Sequence, residues 1–308
     1  MKKENQIYEI AILGRVLWNL HSLNNEGTVG NVTEPRSVRI VDPNTKEPIT
    51  TDGISGEMLK HIHSQFLWEL VDKKYLCEGC QKMEPERGFK DETIRKKKSF
   101  KEASEEAIKK CVICDLHGFL FPGGENTASR DSLIQFGWAV GKGEVLRDIH
   151  THARQAIGEK RKQKGEEDSS QMIYHRPTRS GIYALVSVFQ PWRIGLNNAN
   201  MKYIQGVDRK GRYQLALKAY QAMFLRTEGA MTTTRLPHTE KFEGVIVISK
   251  TNFPVPVISP LKDSYIEEIK KINEKMDKIF ELNEFGSLED FVGEINSLLE
   301  AEPYQIQI

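Results

Sequence analysis

The sequence predicts an α+β fold, and three observations carry the prediction. Short runs rich in β-branched and aromatic residues at 7–13, 132–140, 181–189 and 244–249 read as strands. Segments with apolar residues at helical spacing, 55–73 and 212–226, fall between them. With long insertions set aside, the order is strand, helix, strand, strand, helix, strand, which is the ferredoxin-like or RRM-like order.

The chain has 308 residues, 39% of them hydrophobic, enough for a real core in one large decorated domain or two small ones. No apolar run approaches the roughly 20 residues of a membrane span. The N-terminus lacks a basic-then-apolar secretory pattern, so a cytoplasmic protein with no membrane partner is expected. A net charge of +1 hides an asymmetry: 263–308 holds 12 acidic and 4 basic residues, leaving 40 basic against 31 acidic residues before it. A basic body with an acidic tail suits a polyanion binder, although solvated helix faces would explain the tail equally well.

Taken in order, the strand at 7–13 closes at Gly14 and is followed by Arg15. The run 24–51 is rich in Asn, Gly, Thr and Pro and is too long for a plain connection. At 53–63 a glycine-bounded loop enters a helix. Ser55 can cap that helix, and its first-turn N–H groups, with Lys60, His61 and His63 nearby, form a candidate phosphate site. The plainer reading is a capped helix whose Met58, Leu59, Ile62, Phe66 and Leu70 face a core. From 76 the composition turns charged and cysteine-flanked, marking an inserted module at 76–130. Its helical stretch 92–110 offers only Ile94, Phe100 and Ile108 as large apolar residues, too few for a core of its own. Segment 131–142 returns to the body. The polar stretch 143–180, centred on a charged run at 159–168, reads as a projecting, mobile excursion. Body residues 181–262 follow, and two amphipathic helices are expected at about 263–282 and 287–300 in the tail, 263–308.

Three motifs carry candidate chemistry. All four cysteines lie in two C-x-x-C pairs, Cys77 with Cys80 and Cys111 with Cys114. That pattern suits tetrahedral zinc, and a closed set of four thiolates leaves no position for substrate, so the expected role is structural; a redox pair, an iron–sulfur cluster or unligated thiols are the alternatives. His61 with His63 and His150 with His152 form H-x-H pairs, but residues two apart on a helix do not share a face, so His61 and His63 cannot jointly ligate one ion. The strands at 132–140 and 181–189 lack an RNP-type aromatic motif, which argues against base stacking on the sheet. The loop 229–235, with Thr232, Thr233, Thr234 and Arg235, offers small residues, hydroxyls and N–H groups to a phosphate chain, or is simply a helix C-cap and turn.

These stretches in combination resemble a known family. Gly53 to His61, Gly30 to Arg39, the loop Cys114 to Leu120, Gln171-Met172 ahead of Ser180 to Tyr183, and Gly229 to Pro237 together resemble the DevR autoregulator branch of the CRISPR backbone-subunit family, over most of residues 7–260. The resemblance implies an RRM-like palm, an inserted finger module, a thumb hairpin at 143–180 and C-terminal helices. It also implies copies lining up along a CRISPR RNA in a type I Cascade-like complex with other subunits, the guide pairing with target DNA. Ser55, Lys60 and His61 are then expected against the RNA backbone with Asn31, Arg36 and Arg39; Arg15, His63, Arg176 and Thr232 to Arg235 complete the expected contacts. Met172 is expected to wedge between nucleotides, the plainer reading being that it packs in the palm. Type III relatives cleave RNA with an aspartate in the loop after the first strand. Here that loop offers Asn31, Val32, Thr33 and Glu34, so no catalytic residue is assigned; a Glu34-dependent ribonuclease and a duplex-DNA autoregulator are the alternatives.

Overall fold

The computed structural model describes residues 5–122, 128–155 and 171–307. Its centre is β1 (Glu9–His21), apolar on both faces because the sheet is covered on both sides. Successive side chains alternate. Ile10, Ile12, Val16 and Trp18 enter the main core, and Ala11 and Leu13 enter a smaller one on the opposite face.

Two more strands, β2 (Ser37–Val41) and β3 (Pro48–Ile54), precede the helix α1 (Gly56–Leu70). The cysteine module contributes α2 (Phe100–Lys110) and α3 (Val112–His117). Then come β4 (Ala139–Gln155), β5 (Gln171–Phe189), α4 (Arg209–Leu225), β6 (His238–Ser249), α5 (Tyr265–Lys275), β7 (Phe280–Phe285) and α6 (Leu288–Leu298). The principal sheet runs β7-β6-β1-β5-β4-β3-β2, every neighbouring pair antiparallel, with Ile134–Phe136 also paired to β5. Helices α1 and α4 pack on the main-core face, where Leu59, Ile62 and Phe66 meet the cluster that holds Tyr213, Leu217 and Tyr220. On the other face, Val255, Tyr265 and Ile269 cover Ala11, Leu13, Val245 and Val247. An RRM-type protein would stack bases on that face; here protein already covers much of it.

Three expectations change. The tail holds the two expected helices, α5 and α6, but the first stops at Lys275 and residues 280–285 form an edge strand whose Phe285 packs on Phe242, while α6 places Phe291, Ile295 and Leu298 in the main core. Pairing with β6 satisfies the backbone groups of this short segment. The cysteine module does not stand apart either, since Ile94, Ile108, Ile113 and Leu116 are buried in the main core cluster. Its few apolar residues suffice because they join a core already built. The stretch 24–51 is not a loop but a hairpin (Asn25–Val29 with Val32–Pro35) followed by β2 and β3.

Of the stretch 143–180, expected as a thumb, the described parts continue β4 and β5, paired from Val140↔Ala184 to Gln155↔Gln171 with a break in register between Lys142 and Leu146. The charged run at 159–168 lies outside the described residues. No helix among the described residues is long and apolar enough to cross a membrane.

Candidate nucleic-acid interface

The N-terminus of α1 is built as a cap and then covered. The Ser55 hydroxyl accepts the Met58 N–H at 3.2 Å, while the Ser55 N–H donates to Asn24 Oδ1 at 2.8 Å. Ser55 is buried, and a Cβ placed on Gly56 would fall 2.4 Å from the Phe136 carbonyl oxygen. Ser55 therefore serves as a structural cap and is not open to a phosphate, because it is buried and the 134–137 segment lies over the first turn. His63 is also corrected. It is fully buried, with Nδ1 3.0 Å from His117 Nε2 and Nε2 3.1 Å from the Ala216 carbonyl. Burial drives its pKa down to about 3, so it is a neutral core residue. Two positions earlier, His61 is exposed beside a cavity of about 260 Å³ lined also by Ser64, Met83, Arg87 and Ile113. Lys60 is partly buried, and desolvation followed by the nearby Arg87 lowers its pKa.

Thr233, Thr234, Arg235, Asn31 and Arg176 come together where β4 and β5 leave the sheet. An open cleft of about 890 Å³ brings Thr233, Thr234 and Arg235 opposite Ile149, His150, Thr151, His152 and Thr178. The loop is held there because Ala230 N–H donates to the Leu23 carbonyl at 3.0 Å and Met231 Sδ lies 3.6 Å from Ser22 Oγ and Asn25 Nδ2. Arg235 Nη2 is 3.1 Å from His152 Nε2, and a guanidinium can only donate, so that nitrogen accepts. His152 stacks on Tyr174 with ring centroids 5.2 Å apart, and the Arg176 guanidinium sits 4.9 Å from the Tyr174 ring centre. Thr232 is partly buried, its hydroxyl donating to the Gly229 carbonyl at 3.2 Å.

A second groove of about 430 Å³ lies between the 25–35 hairpin and β5, lined by Thr28, Gly30, Asn31, Thr33, Ile173, Tyr174 and Arg176. The Asn31 carbonyl accepts the His175 N–H at 2.7 Å, docking the hairpin against the thumb strand. The His152–Tyr174 stack links the two grooves, because each ring lines one of them. Arg36 lies 5.8 Å from the Trp138 ring centre and 3.3 Å from Glu26; Arg39 is exposed on the edge strand β2. Arg15 is not brought to this surface. It donates to the Pro260 and Lys262 carbonyls and to Asp263 at 2.9 Å, tying β1 to the segment before α5. The backbone of Met172 pairs with Arg154 in the hairpin, and its side chain lies outside what is described. Glu34 is exposed opposite Gly27.

The four cysteines are buried, with Sγ atoms all within 4.8 Å of one another. Cys114 Sγ lies 3.7 Å from Cys77 Sγ and 3.8 Å from Cys80 Sγ. Thiolates at ~2.3 Å from a central ion form a tetrahedron with edges of about 3.8 Å, which these two separations match, so the donor type and spacing suit a tetrahedral metal. It is the one group of three or more potential ligands brought together among the described residues. His150, which hydrogen-bonds Thr178 at 2.9 Å, and His152, held by Arg235, are not part of such a cluster.

Sequence reasoning missed the buried charges that position these parts. Asp115 accepts from Arg130 Nη2 at 2.5 Å, Arg212 Nη1 at 2.6 Å and Gly195 N–H at 3.1 Å, joining the cysteine module to α4 and the 193–197 turn. Asp52 accepts from Arg179 and Tyr183 beneath the thumb. Asp115 stood in a stretch already noticed, but nothing local reveals partners nearly 100 positions away.

Residues 12–270 match the family described as "CRISPR-associated negative auto-regulator DevR/Csa2". A Methanocaldococcus jannaschii protein, "CRISPR-associated protein Cas7/Cst2/DevR", is 29% identical over 314 residues, covering 94% of this chain and 97% of that protein. The "CRISPR-associated aCascade subunit Cas7/Csa2 2" of Saccharolobus solfataricus is 25% identical over 271 residues, covering 82% and 83% respectively. Among solved structures, a chain of a "CRISPR RNA-guided surveillance complex, pre-nicking" covers 89% of this chain and 88% of its own at 11% identity and a TM-score of 0.46, a likeness too low to argue from.

Proposed function

The chain belongs to the CRISPR-associated DevR/Csa2 family, and on that premise we propose that it is a guide-RNA-binding backbone subunit of a type I Cascade-like surveillance complex. The observation that carries the reading is the pair of grooves joined at the thumb base. There Thr233, Thr234 and Arg235 line one open groove, Asn31 and Arg176 line the other, and the His152–Tyr174 stack lies between them. Hydroxyls, N–H groups and guanidinium groups hold a phosphate chain regardless of sequence, and an aromatic face accepts any base. Target recognition then resides in pairing between guide and target DNA, with the protein supplying backbone contacts and shape. Copies of the chain, together with other subunits, would cover the guide.

The strand order β6-β1-β5 with Ile134–Phe136 outermost, crossed by α1 and α4, supports an RRM-like palm. The quartet would hold a structural zinc: four buried thiolates close the coordination sphere, and the ion would fix the finger on the palm. The subunit is proposed to be non-enzymatic, with Glu34 as the residue to test for cleavage.

Purification without nuclease treatment tests the reading. RNA of uniform length should accompany the protein and remain intact on incubation with divalent cations. Cleavage that disappears in Glu34→Gln would establish a ribonuclease instead, and preferential retention of duplex DNA would favour an autoregulator.

A further inference from the structure

At one point in the fold a two-stranded ribbon leaves a many-stranded sheet. Strand β1 ends at His21 opposite Arg179, and beyond that pair β4 and β5 continue together as the thumb. Two breaks in register coincide there, between Lys142 and Leu146 along β4 and between Arg179 and Gly181 along β5. The backbone at the break carries little side-chain bracing. Gly143 has φ +70°, and Val145 folds over Gly141 and Gly181, its Cγ2 lying 2.6 Å and 3.0 Å from where their Cβ atoms would be. Leu20 N–H donates to Ser180 Oγ at 3.0 Å across the gap.

Beneath the break lies Asp52, the last residue before the glycine-bounded turn into α1. Its carboxylate is buried and accepts from Arg179 Nη1 at 3.0 Å and 3.2 Å and from the Tyr183 hydroxyl at 3.0 Å. Arg147 Nη2 reaches its other oxygen at 3.4 Å, and His21 Nε2 lies 2.9 Å from the Tyr183 hydroxyl. Arg147 and Arg179 are direct cross-strand partners, the second pair beyond the break. Like charges directly opposite on two strands repel, so the root of the thumb is held closed only if a counter-charge sits between them. Asp52 is that counter-charge, and it comes from a third strand, β3. Arg179 is buried with Nε and Nη2 lacking any partner, so its link to the protein runs through Asp52.

We infer that Asp52 is a positioning residue that clasps both thumb strands to the palm and thereby sets the angle at which the hairpin meets bound RNA. The clasp stands on geometry alone; the consequence for RNA rests on the proposal above. Further out, the hairpin touches the rest of the chain through Asn31 with His175 and Arg235 with His152, both contacts at the RNA grooves. An unclasped hairpin therefore loses the relation of β5 to both grooves at once.

Hydrogen exchange on the RNA-free protein separates the clasp from general stability. In Asp52→Asn, which keeps the volume and removes the charge, amides at 146–153 and 173–179 should exchange at least tenfold faster, while those at 9–13 and 245–248 stay within about twofold. RNA affinity should fall with an unchanged salt slope, because no phosphate contact is removed. Since Asp52→Asn leaves a buried arginine unpaired, the double variant Asp52→Leu with Arg179→Met is the companion: it should recover the melting temperature yet keep the fast thumb exchange. Uniformly faster exchange, or normal thumb protection in the double variant, would overturn the clasp. Faster thumb exchange with RNA binding untouched would uphold the clasp and overturn its link to RNA.

Discussion

Replacing Asp115 by Ala should destabilise the whole protein and not only the cysteine module. The carboxylate is fully buried and is shared by Arg130 and Arg212, whose side chains are 1% and 7% exposed, while Gly195 N–H points at the same oxygens. Burial already lowers the Arg130 pKa, opposed by the Asp115 charge, so removing that charge leaves two guanidinium groups in a desolvated site with one counter-ion gone. Breaking a buried pair from one side costs about 3–5 kcal/mol. Unfolding entropy of ~2.1 cal/mol/K per residue gives about 0.65 kcal/mol/K for a chain of this length, so the melting temperature should drop by about 5–8 °C. The drop should appear as one transition, because Ile108 and Leu116 beside the hub belong to the same core as Leu59, Tyr213 and Tyr220. Scanning calorimetry of Asp115→Ala beside the wild type gives the number. A shift under 1 °C, or an early transition confined to part of the enthalpy, would refute the hub.

Three further outcomes are expected. Cys111→Ser should lose bound zinc and expose 76–116 to protease, and less than half a zinc per chain in the wild type by elemental analysis would contradict a resident metal. For pH dependence, His63 is neutral when folded, with a pKa of about 3, while an unfolded histidine titrates near 6.5, so its stabilising effect is complete above about pH 6.5 and is lost progressively as the pH falls toward 3. Between pH 7.5 and pH 5 that histidine alone should cost about 2 kcal/mol, a loss His63→Gln should largely abolish in urea titrations at the two pH values. Arg176→Ala and Arg39→Ala should each flatten the salt dependence of single-stranded RNA binding by about 0.7 in log–log slope, whereas His63→Gln should leave it unchanged.

Periodicity and capping chemistry made much of the scaffold legible. β1, α1 with its Ser55 cap and α4 follow from local pattern, because short-range spacing decides each of them, and the convergence of four cysteines follows from the chemistry of two paired C-x-x-C motifs. The tail misled because 280–285 is short, and only pairing with β6 makes it a strand. At the site, spacing separated His61 from His63 but could not say which faces inward, since that depends on His117, 54 positions on. The N-terminus of α1 had the composition of an anion site, yet a segment some 80 residues later, including Phe136, lies over it. Local sequence does not single out Asp52, because its partners Arg147, Arg179 and Tyr183 come from strands that no local window contains.

In the proposed function, identical chains line up along one RNA strand, gripping it at the thumb base. Native mass spectrometry of the protein with single-stranded RNAs of stepped length and unrelated sequence tests it most directly. The number of chains bound should rise by one for each fixed increment of nucleotides, and Arg235→Ala with Arg176→Ala should reduce occupancy on every RNA alike. One chain per RNA at all lengths, or loading that depends on sequence or on duplex DNA, would contradict it.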